Sequence, residues 1–281
     1  MALGLTIAIA VALAAGIGVG VYAVAFRPRR ILLRRETLEL PHWPPALDGL
    51  EVAVVADLHA GALHITEEKV REVVDRVNAQ EPDLALLLGD YIDPSALLAR
   101  EIPPVRVASA LGNLRAPLGL LAVIGNHDRR FGGDRIAAVL EEAGIRVLRD
   151  DTATIETRGC RVAVTGLREG ERKPRRTGAL PIPQEADATI VLSHVPDVFP
   201  RIPGHVALTV SGHTHGSQID LPLLRRWITP SRYGARYRAG HIVEEARHLY
   251  VCRGIGTSHL PVRLNAPPEI ALLTLRSAAA G

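Results

Sequence analysis

Sulfur and aromatic rings are scarce in this 281-residue sequence, and each scarcity excludes something. Cys160 and Cys252, the two cysteines, stand about ninety residues apart with no CxxC spacing. No disulfide framework or thiolate metal site is indicated, and they read as free, buried thiols compatible with a reducing compartment. One methionine and 4% aromatics leave Ala, Val, Leu and Ile to build the core. Platforms on which bases could stack are few, which argues against nucleic acid binding. Charge points the same way. Arg27, Arg29, Arg30, Arg34 and Arg35 supply five positive charges, and subtracting them from the formal +3 leaves −2 for the remainder. The basic character is local, where a duplex-binding face would need it spread over the domain.

The N-terminus lacks charge altogether. No charged residue occurs in 1–26, and 3–26 is nearly continuous Ala, Val, Ile, Leu and Gly. At about 1.5 Å per residue such a helix crosses a hydrocarbon core of about 30 Å. A cleaved signal peptide wants a charged start, a shorter apolar run and a small-residue cleavage site; the opening MALG has no charge and the run is long. Because the arginines follow the apolar run, the positive-inside tendency predicts a single-pass membrane protein whose remaining chain is cytoplasmic. The same arginines can grip anionic headgroups or serve only to stop transfer. The expected division is a transmembrane helix over 1–26, a basic juxtamembrane linker over 27–49, and a catalytic domain over 50–277.

Residues 40–50 hold three prolines and a glycine and read as an irregular connection. Beyond them, 50–56 is a short apolar, β-branched run and reads as a strand. Residues 67–79 carry apolar positions at helical spacing, with Thr66 as N-cap. The alternation repeats, with strands at 84–88 and 120–124 and helices at 105–114 and 135–143. This predicts an α/β domain with parallel strands. After Gly144, close β candidates at 145–148, 153–156 and 161–166 predict a meander on a second sheet, and 188–192, 206–210, 248–251 and 270–275 add strands. Residues 168–184 are basic, polar and proline-rich and read as an exposed loop.

Five polar clusters directly follow apolar strand candidates: Asp57-Leu58-His59, Gly89-Asp90, Gly125-Asn126-His127-Asp128, Ser193-His194 and Ser211-Gly212-His213-Thr214-His215-Gly216. Side chains just beyond the carboxyl ends of strands in an α/β sheet converge on one crevice. Carboxylate, imidazole and amide donors without thiolates suit Mn²⁺, Fe or Zn²⁺. Asp57 and His59, at i and i+2 on an extended exit, can reach one ion, and His213 and His215 repeat that spacing. Gly89 and Gly125 free the backbone to bring Asp90 and Asn126 close. His42, His64, His205, His241, His248 and His259 lie outside these clusters and are assigned to ordinary structural roles.

The ordered series D-x-H, G-D, G-N-H-D, S-H and G-H-T-H resembles the calcineurin-like metallophosphoesterase superfamily. The tail Tyr250-Val251-Cys252-Arg253-Gly254-Ile255-Gly256, with Pro261, Arg263 and Pro267-Pro268-Glu269, is similar to its membrane-associated bacterial branch of YkuE and YaeI type. The resemblance implies a four-layer α/β/β/α sandwich. It implies two divalent cations, Mn²⁺ foremost: one held by Asp57, His59 and His215, the other by Asn126, His194 and His213, with Asp90 bridging. His127 would be the general acid or phosphate contact, oriented by Asp128. Arg129 and Arg130 can contact a substrate phosphate or form a solvated pair.

The implied activity is hydrolysis of a phosphoester or diphosphate on a phosphorylated small molecule or lipid-linked substrate, UDP-2,3-diacylglucosamine being one candidate in this branch. Broad-specificity phosphodiesterase, nuclease or protein phosphatase activity is the alternative; the missing basic face weighs against a nuclease. A catalytically dead scaffold would usually have lost ligands, and here none is lost. No obligate protein partner is implied.

Overall fold

The computed structural model describes residues 2–168, 180 and 182–278. Most of the predicted 168–184 loop therefore lies outside the described residues. The chain opens with an apolar helix, α1 (Ala2–Val21), continued by a π-turn at Tyr22–Phe26 and a 3-10 turn at Arg27–Arg29. Its side chains from 3 to 22 are exposed. The 27-residue stretch Leu3–Arg29, whose most apolar 18-residue window has a mean hydropathy of 2.4, is long and apolar enough to cross a membrane.

Two six-stranded sheets follow. The first half of the chain runs β1 (Leu32–Leu40), β2 (Leu50–Val55), α2 (Glu67–Asn78), β3 (Leu84–Leu87), α3 (Pro104–Leu111), β4 (Leu120–Ala122), α4 (Asn126–Arg130), α5 (Gly133–Glu142) and β5 (Arg146–Val147). The second runs β6 (Asp151–Thr157), β7 (Cys160–Leu167), β8 (Ala188–Ser193), β9 (Leu208–Ser211), α6 (Arg225–Ile228), β10 (Gly240–Glu244), β11 (Arg247–Val251) and β12 (Glu269–Ser277). Strand order is β1-β12-β2-β3-β4-β5 in one sheet and β10-β11-β9-β8-β7-β6 in the other.

Alternation along the strands divides the core. Val52, Val54, Leu84 and Leu86 meet Val162, Val164, Ile190, Leu192 and Val210 between the sheets. Ala53, Val55, Ala85 and Leu87 pack outward against Val70, Val73 and Val77 of α2, Val107 and Leu111 of α3, and Ile136 and Leu140 of α5. Thr66 caps α2 as its sequence predicts, its hydroxyl accepting from the Lys69 N–H at 3.3 Å. The outer face of the second sheet is covered more thinly, by Phe199, Ile202 and Tyr237 from 3-10 turns.

Three expectations change. Residues 27–49 are more than a linker, because β1 pairs in parallel with β12 over nine positions, Leu32↔Glu269 to Leu40↔Ser277. Its alternation was masked by Arg34, Arg35, Glu36 and Glu39 on an edge strand with one solvated face. Arg34 and Arg35 accordingly serve the fold: Arg34 donates to the buried Glu269 carboxylate at 2.9 Å and Arg35 to Gln80. The predicted meander shrinks to a single hairpin, β6 with β7, since β5 stays in the first sheet and β7, β8 and β9 are parallel. Cys252 is buried as expected, but Cys160 is only partly so.

β10 and β11 pair antiparallel and bring the His241 and His248 ring nitrogens to 3.0 Å. Burial, then the charges of His241 and His42, push His248 down to about 4 from an ordinary 6.5. A depressed histidine means that the unfolded chain binds the proton first. Stability is therefore intact above pH 6.5 and is lost as pH falls toward 4. In detergent solution the melting temperature should drop less steeply across that window for His248→Asn than for the wild type. Parallel curves for the two would show that His248 plays no part in acid sensitivity.

Candidate metal centre

The five polar clusters sit where parallel strands β2, β3 and β4 of one sheet and β8 and β9 of the other end. Because the sheets pack by their inner faces, all five exits open on one edge of the sandwich. Asp57, His59, Asp90 and His194 are at most 1% exposed there, whereas Asn126 and His213 are partly accessible and form the open side.

Ligand atoms of Asp57, His59 and His215 lie within 4.8 Å of one another, and so do those of Asp90, His194 and His213. The Nε2 atoms of His59 and His215 face each other at 3.0 Å. In the second group His194 Nε2 lies 3.2 Å from His213 Nδ1 and 3.0 Å from Asn126 Oδ1. Asp90 Oδ2 stands between the groups, 3.6 Å from His59 Nε2 and 3.3 Å from His194 Nε2. All seven residues singled out by sequence thus converge.

The donor set fits a cation on a direct test. His194 Nδ1 donates to the Leu88 carbonyl at 2.6 Å, which leaves the neutral ring a lone pair on Nε2. That lone pair faces an amide oxygen, a carboxylate oxygen and a second imidazole nitrogen, a meeting of acceptors that a positive ion resolves. Charge crowding agrees. Burial first, and then Asp90, push Asp57 up to about 6 against the pull of His194 and His59. Burial and His194 push His213 down to about 3.

Close backbone approaches build this arrangement. Both Asp57 oxygens accept from the His213 N–H at 3.0 Å. A Cβ at Gly212 would stand 2.7 Å from Asp57 Oδ2, and one at Gly254 would stand 2.6 Å from Asp57 Cβ. A Cβ at Gly125 would meet Asp90 Oδ1 at 2.1 Å, and one at Gly89 would meet the Gly125 nitrogen at 2.4 Å. Asp57, His59, Asp90, His213 and His215 all hold positive φ, between 47° and 69°, a region that non-glycine residues seldom occupy.

Asp128 does not sit where its expected role requires. Its carboxylate accepts from the backbone N–H groups of Asp90 at 2.7 Å, Tyr91 at 2.8 Å and Gly125 at 3.0 Å. It clamps the loop after β3 to the start of α4. The carboxylate at the His127 ring is that of Asp93, whose Oδ2 lies 3.2 Å from His127 Nδ1 and 3.3 Å from His59 Nδ1. The readable signal was a second carboxylate three residues after Asp90. Burial pulls His127 down, but Asp93 and Asp90 outweigh it and its pKa is raised. Arg263, fully buried, supports the other side: its guanidinium lies 3.1 Å from His215 Nδ1 and donates to the carbonyls of Ala266 at 3.1 Å and Arg253 at 2.9 Å. Arg129 and Arg130 are exposed on α4, with Arg130 5.8 Å from the Phe131 ring.

Comparison with known proteins agrees with this geometry. The calcineurin-like phosphoesterase family model matches residues 50–217. The chain is 33% identical over 261 residues to the uncharacterized metallophosphoesterase YkuE of Bacillus subtilis, covering 91% of this chain and 89% of that one. It is 31% identical over 234 residues to the phosphodiesterase YaeI of Escherichia coli, covering 80% and 82%. It is also 27% identical over 262 residues to a cow transmembrane protein with a metallophosphoesterase domain, of which it spans 57%.

Gly125→Ala should displace Asp90 and weaken metal uptake roughly 10–100-fold, the usual cost of disturbing a ligand's support. Gly204→Ala, whose Cβ would meet nothing within 4 Å, is the control. Metal content after dialysis against graded chelator measures both; equal retention would show that the Gly125 approach is dispensable.

Proposed function

Since the chain belongs to the calcineurin-like phosphoesterase family, a family of metal-dependent phosphoester hydrolases, we propose that Asp57, His59, Asp90, Asn126, His194, His213 and His215 hold two divalent cations with Asp90 shared, and that the substrate is a phosphoester or diphosphate presented at a membrane. The observation that carries this reading is the position of Asp90 Oδ2 between two groups of facing donors. The mixed nitrogen and oxygen set favours Mn²⁺, Fe or Zn²⁺, Mn²⁺ foremost. When bound, such ions supply Lewis acidity toward phosphoryl oxygens and make water nucleophilic at neutral pH.

The chain's own residues do the rest. Asp93 Oδ2 stands 3.2 Å from His127 Nδ1 as its charge partner, and the opposite ring nitrogen, Nε2, lies 3.4 Å from Ser258 Oγ at the accessible side of the cluster. His127 in this orientation keeps a proton for the departing oxygen, and its raised pKa keeps that proton to higher pH. Asp128 positions the loop from which His127 projects. Arg129 and Arg130 stand one helical turn beyond and contact outlying phosphate oxygens. The helix α1 serves as a single-pass anchor with the domain on the cytoplasmic side, and a lipid-linked substrate such as UDP-2,3-diacylglucosamine suits that placement. The five arginines weigh toward the cytoplasmic side by the positive-inside tendency.

His127→Ala should cut turnover by ~10²–10⁴ while metal content is retained, since the ring is not among the proposed ligands. Equal loss of metal in elemental analysis would remove it from the acid role. Asp93→Asn withdraws the charge that raises His127. Loss of rate with rising pH should then set in at lower pH than in the wild type; an unmoved alkaline limb would show that another group carries the proton. The Mn²⁺-loaded full chain should release UMP from UDP-2,3-diacylglucosamine in preference to hydrolysing generic diesters. Free hydrolysis of the diesters without UMP release would replace that substrate with the broad-specificity alternative.

A further inference from the structure

Beyond the metal cluster, the chain carries an apolar, arginine-rich surface that nothing in the phosphoesterase chemistry uses. Around α6, Leu223 is 87% exposed and Trp227 72%, with Leu224 and Ile228 also exposed. Residues 221–239 hold five arginines and no acidic side chain. Arg225 and Arg238 approach Asp220, and Arg236 pairs with Glu244 at 2.6 Å, yet five arginines against these two acids leave the segment net positive. The Arg226 guanidinium lies over the Trp227 ring at 4.3 Å. Large apolar side chains interleaved with arginine are the composition of segments that lie in the interface of an anionic bilayer.

Position identifies the occupant. The end of the apolar helix is hydrogen-bonded into the domain, with the Arg263 N–H donating to the Ala23 carbonyl at 2.9 Å. Next along the same segment, the Asp220 N–H donates to the Leu264 carbonyl at 2.8 Å, and Gln218 Nε2 donates to the Leu260 carbonyl at 2.8 Å. One seam, 258–264, therefore joins the helix exit to the root of the α6 segment. The same seam forms the rim of the site: the His259 ring is 5.9 Å from that of His127, and Leu260 is 52% exposed.

We propose that the α6 segment is a second membrane contact, seated in the headgroup region of an anionic phospholipid bilayer through Leu223, Leu224, Trp227 and Ile228, with its arginines among the phosphates. With the anchor and this segment both fixed, the mouth of the metal cluster is held against the bilayer surface. The proposal rests on reading α1 as a membrane span but not on any substrate.

Tryptophan fluorescence tests it on the full chain, because Trp227 is exposed and the other tryptophan, Trp43, is buried. The protein is reconstituted into phosphatidylcholine vesicles with or without phosphatidylglycerol, their acyl chains brominated near the glycerol end. Flotation first shows whether α1 holds the chain on the vesicles; failure to float removes the anchor and the proposal together. In floating protein, emission should be quenched by the brominated lipid, more so with phosphatidylglycerol, and sheltered from aqueous acrylamide. The quenched component should vanish in Trp227→Phe and shrink in the Leu223→Ser, Leu224→Ser double variant, whose melting temperature should match the wild type. Quenching by acrylamide but not by brominated lipid would overturn the proposal. Shelter from both quenchers would overturn it in favour of a protein partner such as a second copy. Equal quenching with and without phosphatidylglycerol would remove the arginines from it.

Discussion

The rest of the site depends on how closely the loops after β3 and β4 approach one another. Two glycines, Gly89 and Gly125, meet there with no room for a Cβ on either. Asp128 reaches back across the junction to the Asp90 and Tyr91 amides, and Asp90 Oδ1 accepts from the His127 N–H at 2.8 Å. Tyr91 bolts the strands beneath, its hydroxyl donating within 3.1 Å of the Leu87 and Val123 carbonyls. The His127 N–H holds the Asp90 carboxylate itself and the other contacts hold the backbone that carries it, and Asp90 stands between the two groups of candidate ligands. A shift of this junction would separate them.

Such a junction explains how strained backbone survives. Five candidate ligands with positive φ cost of order 1–2 kcal/mol each. The surroundings over-determine them: both Asp57 oxygens are bound to the His213 amide, the Gly256 N–H donates to the Asp57 carbonyl at 2.7 Å, and His215 is backed by Arg263. Left-handed turns after β2, β3 and β9 aim side chains across the edge of the sandwich, where a continuing extended strand would alternate them up and down. Residues from two sheets can then share one focus.

This logic also decides what could be read from the sequence. The convergence of the candidate ligands is legible because strand exits punctuated by Gly, Asp, Asn and His form a local pattern, five times repeated, and apolar alternation marks the strands before them. Contacts that act at a distance left weaker traces. The Gly254 and Gly256 approaches to the 56–59 loop look, in sequence, like any glycine-rich turn. Asp93 reads as an ordinary polar residue until the fold brings two histidine rings to it. The orienting role that the resemblance implies for Asp128 falls to Asp93, because helix-start geometry turns the Asp128 carboxylate to the amides before it. β1 is hard to read because charges on both of its faces, Arg34 and Glu36 on the half-buried one and Arg35 and Glu39 on the exposed one, interrupt the apolar run, and its parallel partner β12 lies more than two hundred residues away.

The pairing of β1 fixes how the apolar helix joins the domain. A flexible linker would let the domain swing freely below a membrane. Here only Arg30 and Ile31 separate the last turn of the apolar helix from β1. The passage is held by the Val24 carbonyl at 2.7 Å from His64 Nε2, the Arg29 carbonyl accepting from Lys69 Nζ at 2.8 Å, and the Ala23 carbonyl accepting from Arg263. Arg263 belongs to both ends of this connection, since the same residue that receives the helix backs His215. The end of the apolar helix and the candidate metal cluster are thus tied to one packed unit, so with the helix spanning a bilayer as proposed, its tilt would set the direction in which the site faces. With the membrane-presented substrate proposed above, a fixed aim would do part of the work of substrate positioning before any phosphate is bound.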